Sequence, residues 1–154
     1  MNYQVKPEEL RTIYKFLFFW KEIYKYIEDE MGLESDNNLW IRIDIEPIVE
    51  SRDFVAIWIG IKPKWAKGKR DTPLWLSFSV NEKGSGIYEN KFLWIGSNYE
   101  DIFGLLKNVF SDGIIDEENM MIGLDFPFAT EVKDEDIKHW VVDFGEKLKK
   151  VIVR

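Results

Sequence analysis

The most concentrated chemistry in the chain lies in one short segment. Lys62-Pro63-Lys64-Trp65-Ala66-Lys67-Gly68-Lys69-Arg70 places five cations around one tryptophan within nine residues. Lysine and arginine neutralise phosphates, and an exposed indole stacks on an unpaired base. Residues 62–70 are therefore a candidate contact for single-stranded nucleic acid, or for an acidic protein surface. The plainer expectation is a solvated hairpin loop whose lysines keep it soluble.

A second cluster is Arg42, Asp44 and Glu46. Two carboxylates two residues apart on a strand share a face and can share a divalent cation. A metal-dependent hydrolase built on Asp44 and Glu46 would need a third ligand, for which Asp125 and Asp53 are the nearest donors in type. The acid-x-lysine pattern of one nuclease class is absent: the matching text is Gly60-Ile61-Lys62, with glycine where the acid belongs. An ion-paired polar strand face near Arg42 is the simpler expectation. The single histidine, His139, sits beside Trp140 off an apolar stripe, so it is expected to face solvent. No phosphate-binding glycine loop, serine elbow, zinc spacing or dinucleotide fingerprint occurs. Catalysis needs a positioned base, nucleophile or metal, so the chain leans away from being an enzyme, and no cofactor or metal is expected.

A third feature is aromatic. Trp40, Trp58 and Trp75 fall on one face of three alternating runs, beside Ala56, Gly60, Ser77 and Ser79, with Trp94 or Phe92 joining them from a fourth. Small residues between large aromatics shape a shallow pocket. Packing of the first or last helix on this face would make the tryptophans ordinary core, which is the plainer expectation. An open face would make it a ligand or partner platform.

The elements that must position these residues follow from periodicity. A first helix is predicted from Pro7 to Met31, with Pro7 in its first turn, Glu8 and Glu9 at the positive dipole end and Gly32 as stop. Leu10, Ile13, Leu17, Tyr24 and Ile27 form a stripe, while Phe16, Phe18, Phe19, Trp20 and Ile23 spread apolar character around the middle. Such a helix is buried on several faces or meets a partner. Period-two alternation predicts strands at Trp40–Ile48, Phe54–Lys62 and Leu74–Val80, and a fourth at Ile87–Ile95 after Lys83-Gly84-Ser85-Gly86. Ser97 and Glu100 read as a capping box for a second helix, with stripe Ile102, Leu105, Leu106, Val109 and Phe110, ending at Asp112-Gly113. Asn119–Phe126 reads as a fifth, shorter strand. A third helix runs from about Asp134 to Val151, acidic at its start, basic at its end, with stripe Ile137, Trp140, Val141, Phe144, Leu148 and Val151.

The expected fold is α+β: one domain over 1–154, with an antiparallel four- to five-stranded meander, a long N-terminal helix, a middle helix and a C-terminal helix, in the order α-β-β-β-β-α-β-α. The expected core is Leu17, Ile27, Ile43, Ile57, Ile59, Leu76, Phe78, Leu105, Phe144 and Leu148.

Composition bounds the rest. The chain has 154 residues, 45% of them hydrophobic, with net charge −7 and no cysteine. This excludes disorder, disulfides, thiolate metal sites and thiol nucleophiles. The negative charge argues against nucleic-acid binding over the whole surface. Residues 1–30 carry no signal-peptide pattern, and no apolar run approaches the roughly 20 residues that span a bilayer. A cytoplasmic chain without membrane contact is expected. The leading functional expectation is a non-catalytic binding or regulatory module that acts through protein contacts, with self-association as its simplest form; nucleic-acid binding through 62–70 is the alternative.

Overall fold

The computed structural model describes residues 7–34, 37–48, 52–69, 72–81, 92–125 and 132–154, and for parts of these the backbone only. Three helices and a six-stranded antiparallel sheet make an α+β fold. In chain order they are α1 (Pro7–Met31), β1 (Leu39–Ile48), β2 (Arg52–Ile61), β3 (Leu74–Asn81), β4 (Phe92–Ser97), α2 (Glu100–Val109), β5 (Ile114–Asp116), β6 (Met121–Asp125) and α3 (Asp134–Ile152). The sheet order is β1-β2-β3-β4-β6-β5. The meander therefore extends to β4, where β6 pairs next and leaves β5 at the edge.

β5 was not expected from periodicity. Its three residues are too few to display a period of two, and Ile114 and Ile115 are both exposed. It pairs with β6 across a turn in which the Asp116 carboxylate accepts hydrogen bonds from the Asn119 backbone N–H and side-chain amide.

Alternation assigns the two sheet faces. Leu39, Ile59, Ile61, Leu74, Leu76, Leu93, Ile95 and Ile122 point to one side and are fully buried. They share one apolar cluster with Phe19, Trp20, Ile23 and Ile27 of α1, Ile102, Phe103 and Leu106 of α2, and Ile137, Val141, Phe144, Leu148 and Val151 of α3. All three helices thus cover the same face. Full burial of each such aliphatic side chain contributes about 1.5–3 kcal/mol. α3 packs against both α1 and α2, and α2 lies on β4 and β6. Lys15 of α1 pairs with Asp134 at the start of α3.

Of the expected core, Ile27, Ile59, Leu76, Phe144 and Leu148 are buried and Leu105 is partly buried. The side chains of Ile43, Ile57 and Phe78 lie outside the described residues. Leu17 is a correction: it is 53% exposed. The buried stripe of α1 centres on Phe19, Ile23 and Ile27, and at 3.6 residues per turn Leu17 stands about a third of a turn away from its centre.

The start of α2 also differs from expectation. The helix begins at Glu100 with Tyr99 as its cap residue, and Ser97 is the last residue of β4. The Ser97 hydroxyl donates to the Pro73 carbonyl and accepts the Tyr99 backbone N–H at 3.1 Å, so it ties β4 to the entry of β3 instead of closing a capping box. α1 ends as expected, with Gly32 in the left-handed region at φ 62°. β4 is described from Phe92, so the expected strand start at Ile87 lies outside the described residues. Among the described residues, no helix is long and apolar enough to cross a membrane.

Candidate functional site

The face of the sheet away from the helices carries the tryptophans. The strand register sets Trp40, Gly60, Trp75, Gly96 and Met121 in one row across β1-β2-β3-β4-β6. The next row reads Arg42, Trp58, Ser77, Trp94 and Gly123. Large and small residues thus alternate in both directions. Trp40, Trp58, Trp75 and Trp94 are half-buried, and none belongs to the apolar cluster beneath the helices. The expectation that a helix covers this face is not met by α1, α2 or α3, because all three lie on the other side.

The indoles protect the sheet themselves. The benzo ring of Trp75 occupies the space a Cβ at Gly96 would need. The ring of Trp94 stands over Gly123, where an added Cβ would come within 3.0 Å of it. Trp58 and Trp75 meet edge to face, with ring centroids 5.4 Å apart and planes at 63°. This geometry is favourable for aromatic pairs.

Trp40, Trp58, Gly60, Thr72 and Trp75 line an open depression of about 260 Å³. The Thr72 side chain fills the space above Gly60 and forms one wall. Trp58 Nε1 is buried and has no hydrogen-bond partner among the described residues. An indole N–H without an acceptor costs roughly 1–3 kcal/mol. The site therefore offers flat apolar surfaces and a donor beneath them.

Thr72, Gly96 and Gly123 were not singled out from the sequence. Their signal exists only in the cross-strand register, since each acts on a residue of a neighbouring strand. Trp94 sits opposite Ser77, which places it on the Trp58 face as its alternation suggested.

The basic segment is arranged differently from a free, solvated loop. Trp65 is half-buried, and its Nε1 donates to the carbonyls of Val151 and Ile152 at 3.1 and 3.0 Å. It thus caps the C-terminal end of α3, where backbone carbonyls lack helical partners. Arg154 lies over its ring at 5.8 Å. Stacking on a nucleic-acid base would require the indole to leave this position. Lys69 pairs with Asp101 at 3.1 Å and lies over the Tyr99 ring at 4.1 Å. That lysine holds the Asp101 carboxyl below its ordinary range. Lys62 is half-buried, with its carbonyl accepting the Asn38 side-chain amide, and Lys64 and Lys67 are exposed. Arg70 lies outside the described residues.

The side chains of Arg42, Asp44 and Glu46 also lie outside the described residues. Their backbone register can still be read. Asp44 stands opposite Ala56 and Glu46 opposite Phe54, whereas Asp53 stands opposite Pro47 and so falls out of their row. Asp125 is on β6, four strand spacings or roughly 19 Å from β1. By backbone register, neither Asp53 nor Asp125 shares a cross-strand row with Asp44 or Glu46. Among the described residues no group of three His, Asp or Glu side chains could hold a metal ion. His139 is exposed.

No family model, no characterised protein and no solved structure matches this chain.

Proposed function

We propose that this chain is a non-catalytic binding module that works through protein contacts, and that the tryptophan face of the sheet is its docking surface. The observation that carries the reading is the placement of all three helices on one face, which leaves four half-buried tryptophans on the other. A sheet face of this kind in contact with water is unusual unless it has an occupant. Tryptophan is enriched at interface hot spots, where desolvation of a large rigid side chain contributes most. The buried Trp58 Nε1 adds a donor that a docking partner's carbonyl can satisfy after a small shift of the rings. The simplest occupant is a second copy of the chain, which would bring the same patch against itself about a two-fold axis. The absence of cysteine suits a reducing compartment, and we place the protein in the cytoplasm on that ground.

Light scattering over a concentration series tests this. The mass of the wild type is expected to rise from one chain toward two, and Trp40→Glu is expected to hold it at one. A wild type that stays a strict monomer and retains no partner when immobilised would count decisively against the reading.

A further inference from the structure

The corner between the end of α2, the β5–β6 hairpin and α3 contains a second cavity, on the helix side of the sheet. It is a groove of about 330 Å³. Its floor is aromatic. The Phe110 and Phe144 rings stack with centroids 5.5 Å apart, and Trp140 stacks on Phe144 at 5.2 Å with only 15° between planes. Phe110 and Phe144 are buried and Trp140 is half-buried. Asp112, Asp143 and Lys147 also line it, together with Asp125 at the end of β6, so acidic residues outnumber basic ones around it. These acidic residues come from three separate segments, so the fold and not one helix terminus brings them to the groove.

Each part of this arrangement selects the same chemistry. A volume near 300 Å³ is at the small end of ligand pockets. Trp140 is the half-buried ring of the three, and an indole face attracts a cation while the aromatic lining takes hydrocarbon. Carboxylates accept the charge-assisted hydrogen bonds of ammonium or guanidinium groups. An anion of the same size meets three like charges. We infer that this groove binds a small organic cation: a protonated amine or guanidinium on a short apolar body. The inference does not rest on the tryptophan face, which lies on the opposite side of the sheet.

The test is a two-dimensional NMR titration of the intact chain with phenethylamine and agmatine, read at the amides of Gly113, Asp125 and Asp143 and at the Trp140 indole N–H. Saturable shifts confined to these signals are expected. Phenylpropionate, the same ring on a carboxylate, should leave them in place. Asp112→Asn combined with Asp143→Asn is expected to weaken binding about tenfold, and Lys147→Gln to tighten it about two- to threefold by removing a competing ammonium. All three positions are exposed, so the remaining spectrum should stay as in the wild type. No saturable shift, equal shifts with phenylpropionate, or affinity unchanged in the double variant would overturn the assignment. A blocked arginine tripeptide that binds more tightly than agmatine would also overturn it, in favour of a side chain delivered by a partner protein.

Discussion

The benzo ring of Trp75 fills the space beside Gly96 on the neighbouring strand, where a Cβ would overlap three of its ring atoms. The glycine is thus part of the tryptophan layer. Gly96→Ala must push Trp75 off the sheet and loosen its contact with Trp58. We expect a loss of about 1–3 kcal/mol, equal to roughly 2–4 °C in Tm per kcal/mol for a chain of this size. Gly123→Ala faces the milder 3.0 Å approach of Trp94 and should cost less. Thermal unfolding in which Gly96→Ala matches or exceeds the wild type would show that the ring is not seated there.

Trp65 is expected to behave as a structural residue. Its indole N–H serves the last carbonyls of α3, so Trp65→Phe should keep the packing and lose the hydrogen bonds, at about 1–2 kcal/mol in urea unfolding. A variant as stable as the wild type would leave the indole N–H without a role.

The basic segment follows from the same placement. With Trp65 and Lys69 engaged inside the chain, a labelled single strand should give the same low-salt anisotropy with the wild type as with a variant carrying alanine at Lys62, Lys64, Lys67, Lys69 and Arg70. Wild-type binding that vanishes in the variant, with a log–log salt slope of about −3, would restore the nucleic-acid reading.

Tyr26 links α1 to α3 and gives a pH signature. Its hydroxyl donates to the Glu146 carboxylate at 2.6 Å. Burial first, then the hydrogen bond and charge of Glu146, push the phenol up from 10.0 to about 12. A folded-state value above the unfolded one means that this contribution is complete below pH 10.0 and is lost as pH rises toward about 12. Tyr26→Phe is expected to lose less stability across that window than the wild type. Parallel losses in the two proteins would contradict the coupling.

Much of this architecture was legible in the sequence because its signals are local. The bounds of α1 follow from Pro7 and Gly32. The stripe of α3 follows from Ile137, Val141, Phe144 and Leu148. The two faces of β2 and β3 follow from strict alternation. The readings that failed depended on distant neighbours. Leu17 belongs to an apolar helix whose buried side is chosen by α3 and the sheet. Ser97 fits a cap in sequence but bonds to Pro73, 24 residues away. Trp65 looked free until the end of α3 was placed against it. For the tryptophan face, sequence set the side on which the rings lie but not whether a helix covers it, because that depends on the side to which all three helices pack. The groove lined by Phe110, Trp140 and Phe144 was invisible for the same reason: its lining residues are brought together only by the fold.

The most direct test of the central claim is solvent paramagnetic relaxation of the tryptophan ring protons, recorded in dilute and in concentrated protein. If the face is open and docks a second copy, the rings of Trp40, Trp58 and Trp75 relax strongly when dilute and are shielded when concentrated, while buried Trp20 stays shielded throughout. Rings as shielded as Trp20 in dilute protein, or equally exposed at every concentration with no partner bound, would contradict it.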